Sequence, residues 1–136
     1  MVSIGSRDLQ EIQTTHNSLK EQAFQTENDA YVVEFKNIIG NIRALNKNAQ
    51  LIIIGSYNPL SVVNASDNIA YLDTWTYHTQ LVIATDEKAT FIPTYDIFKN
   101  NLNRFISSDK LNPNSTGYQT FAYLISKAVE NTLSKP

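Results

Sequence analysis

The sequence predicts an α/β protein with a parallel sheet and helices on both faces. Three observations carry that expectation. Strand-like and helix-like stretches alternate along the chain, which is the rhythm of parallel crossover units. Leu51-Ile52-Ile53-Ile54 is continuous, apolar and β-branched, the signature of a strand covered on both sides. Apolar residues elsewhere recur at threes and fours, as they do on the buried stripe of a helix.

Each element can be justified in order. Met1 to Ile4 reads as a short strand, with Gly5-Ser6-Arg7-Asp8 as the turn after it. Asp8 to about Asn28 is polar and reads as loosely packed helix and loop. Asn28 to Leu45 reads as a helix, because Val32, Phe35, Ile38, Ile39, Ile42 and Leu45 form one stripe. Asn46-Lys47-Asn48 ends it, Leu51 to Ile54 follows as a strand, and Pro59 blocks extension. Ser61 to Asn68 reads as a loop. Ile69 to about Asp86 reads as a second helix carrying Leu72, Trp75, Leu81, Val82 and Ile83. Thr90 to Pro93 reads as a third strand, Tyr95 to Asn103 as a brief helical turn, and Ser107 to Ser115 as a loop. The last helix, from about Thr116 to Leu133, carries Phe121, Leu124, Ile125, Ala128 and Val129.

Composition bounds the chemistry. The 136 residues are 42% hydrophobic and 18% charged, enough apolar content for a single domain over 1–136 and too little length for two. The absence of Cys removes disulfides, thiolate metal sites and a cysteine nucleophile. With His16 and His78 alone and far apart, a histidine-rich metal site is not expected, and no cofactor is implied. Eleven basic against thirteen acidic residues form no basic stripe, so nucleic acid is not an expected partner. No apolar run reaches membrane-spanning length. The start, MVSIGSRDLQ, lacks the pattern of a signal peptide, so the chain as written reads as cytoplasmic.

In an α/β sheet, functional residues gather at the carboxyl ends of strands. Those positions are Gly5 to Asp8, Gly55 to Asn58 and Pro93 to Asp96, joined by the loop at Ser107 to Asn114. Ser56 has the best position for a nucleophile but lacks the following glycine of a nucleophile elbow. His78, near Trp75 and Leu81, reads as a packed ring rather than a base, and His16 as exposed.

The stretch Asp109-Lys110-Leu111-Asn112-Pro113-Asn114-Ser115-Thr116-Gly117-Tyr118 resembles the last conserved block of the SGNH (GDSL-type) lipase and acylhydrolase family. There an Asp, two residues, a His, Pro and Asn lead through Gly-Tyr into the final helix. Ile4-Gly5-Ser6-Arg7-Asp8-Leu9 is similar to that family's glycine, any residue, asparagine, aspartate block. Leu51 to Pro59 and Phe91 to Phe98 resemble its fourth and fifth strands. The resemblance implies a three-layer α/β/α, flavodoxin-like fold lacking its first strands, and about the second half of a family domain.

The departures shape the functional expectation. In the family a Ser attacks an ester, a His takes its proton, an Asp orients the His, and a Gly and an Asn bind the oxyanion. Only four residues precede Gly5 here, so the nucleophile block is not in this chain. Arg7 stands at the oxyanion Asn position, Asn112 at the His position, and Asp109 keeps the triad Asp. Gly5, Ser56 and Tyr57 line what is left of a binding cleft. The resemblance thus implies a degenerate or truncated acylhydrolase-like protein that does not hydrolyse esters by itself. Two alternatives stay open: a non-catalytic ligand-binding or interaction module, and the C-terminal half of a split esterase.

Plainer readings also stand. Asn112 before Pro113 suits a turn, and Asp109 suits a loop residue bonded to nearby backbone. Arg7 fits a solvated charge, or a partner filling the vacated triad site against Asp109. The Val2 to Ile4 strand, as an unpaired edge, implies self-association or a complementary chain. Because family members are often exported or envelope-associated, the resemblance leaves the compartment open.

Overall fold

The computed structural model describes Asp8 and residues 20–57, 66–99, 101–109 and 112–133. The elements are α1 (Lys20–Leu45), β1 (Leu51–Ile54), α2 (Ser66–Ile83), β2 (Ala89–Ile92), α3 (Thr94–Phe98), α4 (Leu102–Phe105) and α5 (Ser115–Leu133). β1 and β2 pair in parallel, with Leu51 opposite Ala89 and Ile54 opposite Ile92. The expected strand at Met1 to Ile4 lies outside the described residues.

The three-layer, flavodoxin-like sheet expected from the sequence is therefore not what the described residues form. They are mostly helical around a sheet of two four-residue strands. The physical reason lies in the helices. α1 alone runs 26 residues, and its buried stripe packs along α2 as well as over the sheet, so much of the core is helix against helix.

That core joins Phe24, Tyr31, Phe35 and Ile39 of α1 to Leu72, Trp75, Val82 and Ile83 of α2 and to Leu51 and Ile53 of β1. Tyr31 stacks on Trp75 at 4.1 Å between ring centroids, and Phe24 on Tyr71 at 4.4 Å. The opposite face of the strands, Ile52 and Ile92, packs on Ala128, Leu124 and Ile125 of α5. The run Leu51 to Ile54 is thus covered on both faces, as its composition predicts. Alternation places Leu51 and Ile53 on one side and Ile52 on the other.

Several details differ from expectation: α2 begins at Ser66, inside the expected loop, and two short helices, α3 and α4, stand where one helical turn is expected. Lys20 to Asn28 is continuous helix rather than loose structure. Its buried positions, Phe24, Asn28, Tyr31, Phe35 and Ile39, keep a helical spacing, but one of the five is polar and so broke the visible stripe. On α2, Leu81 points outward at 49% exposure while Thr79 is buried in its place. Thr79 donates to Trp75 O at 2.8 Å and so accepts from Tyr31 Oη at 2.9 Å, which satisfies both hydroxyls.

At the amino ends of the strands, Arg43 ties three segments together. Its Nε and Nη2 donate to the two Asp86 carboxylate oxygens at 2.7 and 3.0 Å, and its Nη1 to Ala49 O at 2.6 Å. Asp86 also accepts from the Lys88 backbone N–H at 3.0 Å. The guanidinium holds the Asp86 carboxyl below the ordinary value of 3.8.

Candidate functional site

At the carboxyl ends of the strands a third cluster forms. Phe98, Phe105 and Ile106 are buried and pack with Tyr57 and Phe121. Ring centroids lie 4.9 Å apart for Phe98 and Phe121, and 5.2 Å for Tyr57 and Phe98. This aromatic knot fixes both ends of the loop that holds Asp109 and Asn112.

The loop is closed by its own backbone. Ile106 and Pro113 form an antiparallel bridge, Ser107 N–H donates to Asn112 O at 2.8 Å, and Asn114 N–H to Phe105 O at 2.8 Å. Asn114 then caps α5: its Oδ1 accepts from Gly117 N–H at 3.0 Å, and its Nδ2 donates back to Arg104 O at 2.8 Å. Gly117 must be glycine, since a Cβ there would collide with the Phe105 carbonyl oxygen and lie 2.8 Å from Pro113 Cβ. Asp109 and Asn112 are therefore held by a rigid frame although both are exposed.

Asn112 Nδ2 donates to Asp109 Oδ2 at 2.7 Å, and the Asn112 backbone N–H donates to Asp109 Oδ1 at 2.9 Å. Ser107 Oγ sits within reach of both Asp109 Oδ1 and Asn112 O, and its one proton serves one of them at a time. The carboxylate is thus bonded to a side-chain amide and to loop backbone together, so the turn-forming role and the pairing role are one arrangement. Tyr57 completes this side. Burial, then the neighbouring Tyr118 and Asp109, push its phenol up to about 12.

The other candidate residues lie apart from this cluster or beyond the description. Ser56 is buried and borders a cavity on the α2 side of the sheet, with Thr76 and Thr94. His78 is half-buried between α1 and α2, where its Nδ1 accepts from Asn28 Nδ2 at 2.7 Å in the tautomer protonated at Nε2. His16, Gly5 and Arg7 lie outside the described residues, and so does any pairing of Arg7 with Asp109.

Sequence reasoning named Ser56 and Pro93 to Asp96 at this end of the strands but missed the α2 side of the cavity. Its α2 wall is Asp73, Thr76, Tyr77 and Gln80. Positions at i, i+3, i+4 and i+7 are one helix face. That polar stripe was the available signal, and it reads from sequence as an ordinary solvated face.

Among the described residues, no three His, Asp or Glu side chains gather as a metal site requires, and no helix is long and apolar enough to cross a membrane. No family model matches the chain. Over 135 aligned positions it is 30% identical to uncharacterized protein YpmR of Bacillus subtilis (strain 168). The match covers 94% of this chain and 52% of that protein, so the chain spans about half the length of the relative it resembles.

Proposed function

We propose that this chain is a degenerate acylhydrolase-like protein of SGNH type that keeps the carboxylate of the catalytic relay and has lost the base. The observation that supports this reading is the 2.7 Å bond from Asn112 Nδ2 to Asp109 Oδ2. In a working relay the imidazole N–H donates to that carboxylate while the second ring nitrogen takes the nucleophile's proton. The Asn112 amide supplies the donor half. Its carbonyl oxygen is far too weak a base near neutral pH to supply the other. A complementary chain bringing a serine would not restore activity for the same reason, which disfavours a split esterase. The proposal rests on the motif and this geometry, not on a complete sheet.

The test is ester hydrolysis by the purified protein on p-nitrophenyl butyrate, with fluorophosphonate labelling read by intact mass. The expected result is the rate of a protein-free control and no adduct. Saturable turnover with a stoichiometric serine adduct overturns the reading.

Association belongs to the same proposal. β1 pairs with β2 on one side, and among the described residues no strand lies on its other edge. An open parallel edge recruits a strand from a second copy or from a complementary chain. Light scattering at micromolar concentration should give a dimer or larger, and a monodisperse monomer argues against association.

A further inference from the structure

The cavity behind Ser56 stands apart from the Asp109 loop and has its own chemistry. It is a solvent-open pocket of about 130 Å³ at the carboxyl ends of β1 and β2, between α2 and the start of α3. Asp73 and Asp96 line it, together with Tyr77 and Tyr95, and no basic side chain does. A wall of carboxylates and phenol rings repels anions and suits a positive charge, which gains from both groups.

Two further observations point to a ligand. Lys99 donates from Nζ to Asp96 Oδ1 at 2.6 Å and sits 5.2 Å from the centroid of the Tyr95 ring. The chain thus already seats one of its own ammonium groups at the cavity's rim, on one carboxylate and one ring. Asp73, the second carboxylate, has no ion pair among the described residues, though its charge acts on both Tyr95 and Lys99. In addition, Thr76 differs from its neighbours on α2. Thr74 and Thr79 bond back to Ala70 O and Trp75 O at 2.9 and 2.8 Å, whereas Thr76 Oγ1 is buried with no partner. Such a hydroxyl is costly unless something satisfies it, and Thr76 lines the cavity.

We propose that this cavity binds a small primary alkylammonium group, held by Asp73 and faced by Tyr77 and Tyr95. Lys99 occupies the second seat, on Asp96, and competes with the ligand for it. This inference is independent of whether the Asp109 loop descends from a hydrolase.

The experiment is an NMR titration of the protein with n-butylammonium chloride, which copies the lysine side chain, followed on the tyrosine ring signals. 1-Butanol serves as its uncharged counterpart and N-acetylglucosamine as a neutral, hydroxyl-rich one. Saturable binding of n-butylammonium is expected, with 1-butanol about tenfold weaker or worse. Asp73→Asn should weaken n-butylammonium about tenfold, and Lys99→Met should strengthen it a few-fold by freeing Asp96. Both positions are exposed, and a native one-dimensional spectrum verifies that each variant is folded. Equal binding of 1-butanol, tighter binding of N-acetylglucosamine, or no saturation by n-butylammonium in either the parent or Lys99→Met overturns the proposal.

Discussion

The two ends of the β1–β2 pair are built on opposite principles. At the amino end a single guanidinium meets two carboxylate oxygens and a backbone carbonyl, and the Asp86 carboxylate is answered again by the Lys88 N–H. At the carboxyl end, an aromatic knot and a capped loop hold an exposed Asp109–Asn112 pair, and on the α2 side of the sheet lies a separate cavity with an unanswered hydroxyl. Paired contacts fasten one end, and the other is the end at which ligands bind in open parallel sheets.

The largest effect that can break this comparison is at the Gly117 contact. Gly117→Ala forces α5 away from the Phe105 carbonyl and should cost about 3 kcal/mol. Urea unfolding measures it, and a cost under about 0.5 kcal/mol, the range of an ordinary surface change, would mean that the frame of the loop is soft. Arg43→Met comes next at about 2 kcal/mol, because it leaves the Asp86 carboxylate, 13% exposed, without its cation. That loss should appear in stability while n-butylammonium binding at the far end is unchanged. A change in that binding would mean that the two ends are coupled.

The smallest effects are in pH dependence, and the two ends have opposite signs. Asp86 has a folded pKa below 3.8, so its contribution is present above that value and is lost as pH falls through the folded pKa. Tyr57 rises from 10.0 to about 12, so its contribution is present below pH 10 and is lost as pH rises toward 12. Stability measured across pH should therefore lose part of its acid limb in Arg43→Met. Tyr57→Phe should lose part of its alkaline limb, to which Tyr31 and Tyr95, also raised by burial, contribute too.

Legibility in the sequence follows the same division. β1 was readable to the residue because four consecutive apolar positions admit little else. α5 was readable because Phe121, Leu124, Ile125, Ala128 and Val129 recur at helical spacing. The start of α1 was hidden because Asn28, wholly buried, carries no hydrophobic signature. In the site, the spacing of Asp109 and Asn112 brought them to notice, and their hydrogen bond follows from the closed loop. The α2 side of the cavity was hidden because Asp73, Thr76, Tyr77 and Gln80 are residue types at home in water. Only their placement over Thr94 and Tyr95 makes them one wall of a pocket. The expected full sheet failed for another reason: crossover rhythm predicts strands but cannot say how much core the helices build among themselves.

The bond between Asn28 and His78 has a consequence for how α1 sits on α2. Most of that interface is aromatic and aliphatic, and the attraction between such surfaces is non-directional. A slip of one turn, about 5.4 Å, would strand an amide and an imidazole against apolar neighbours. The penalty falls on every alignment but one. Together with the Tyr31–Thr79 hydroxyl pair, this polar contact acts as the index mark of a 26-residue helix, giving it one seat on its neighbour where grease alone would allow several.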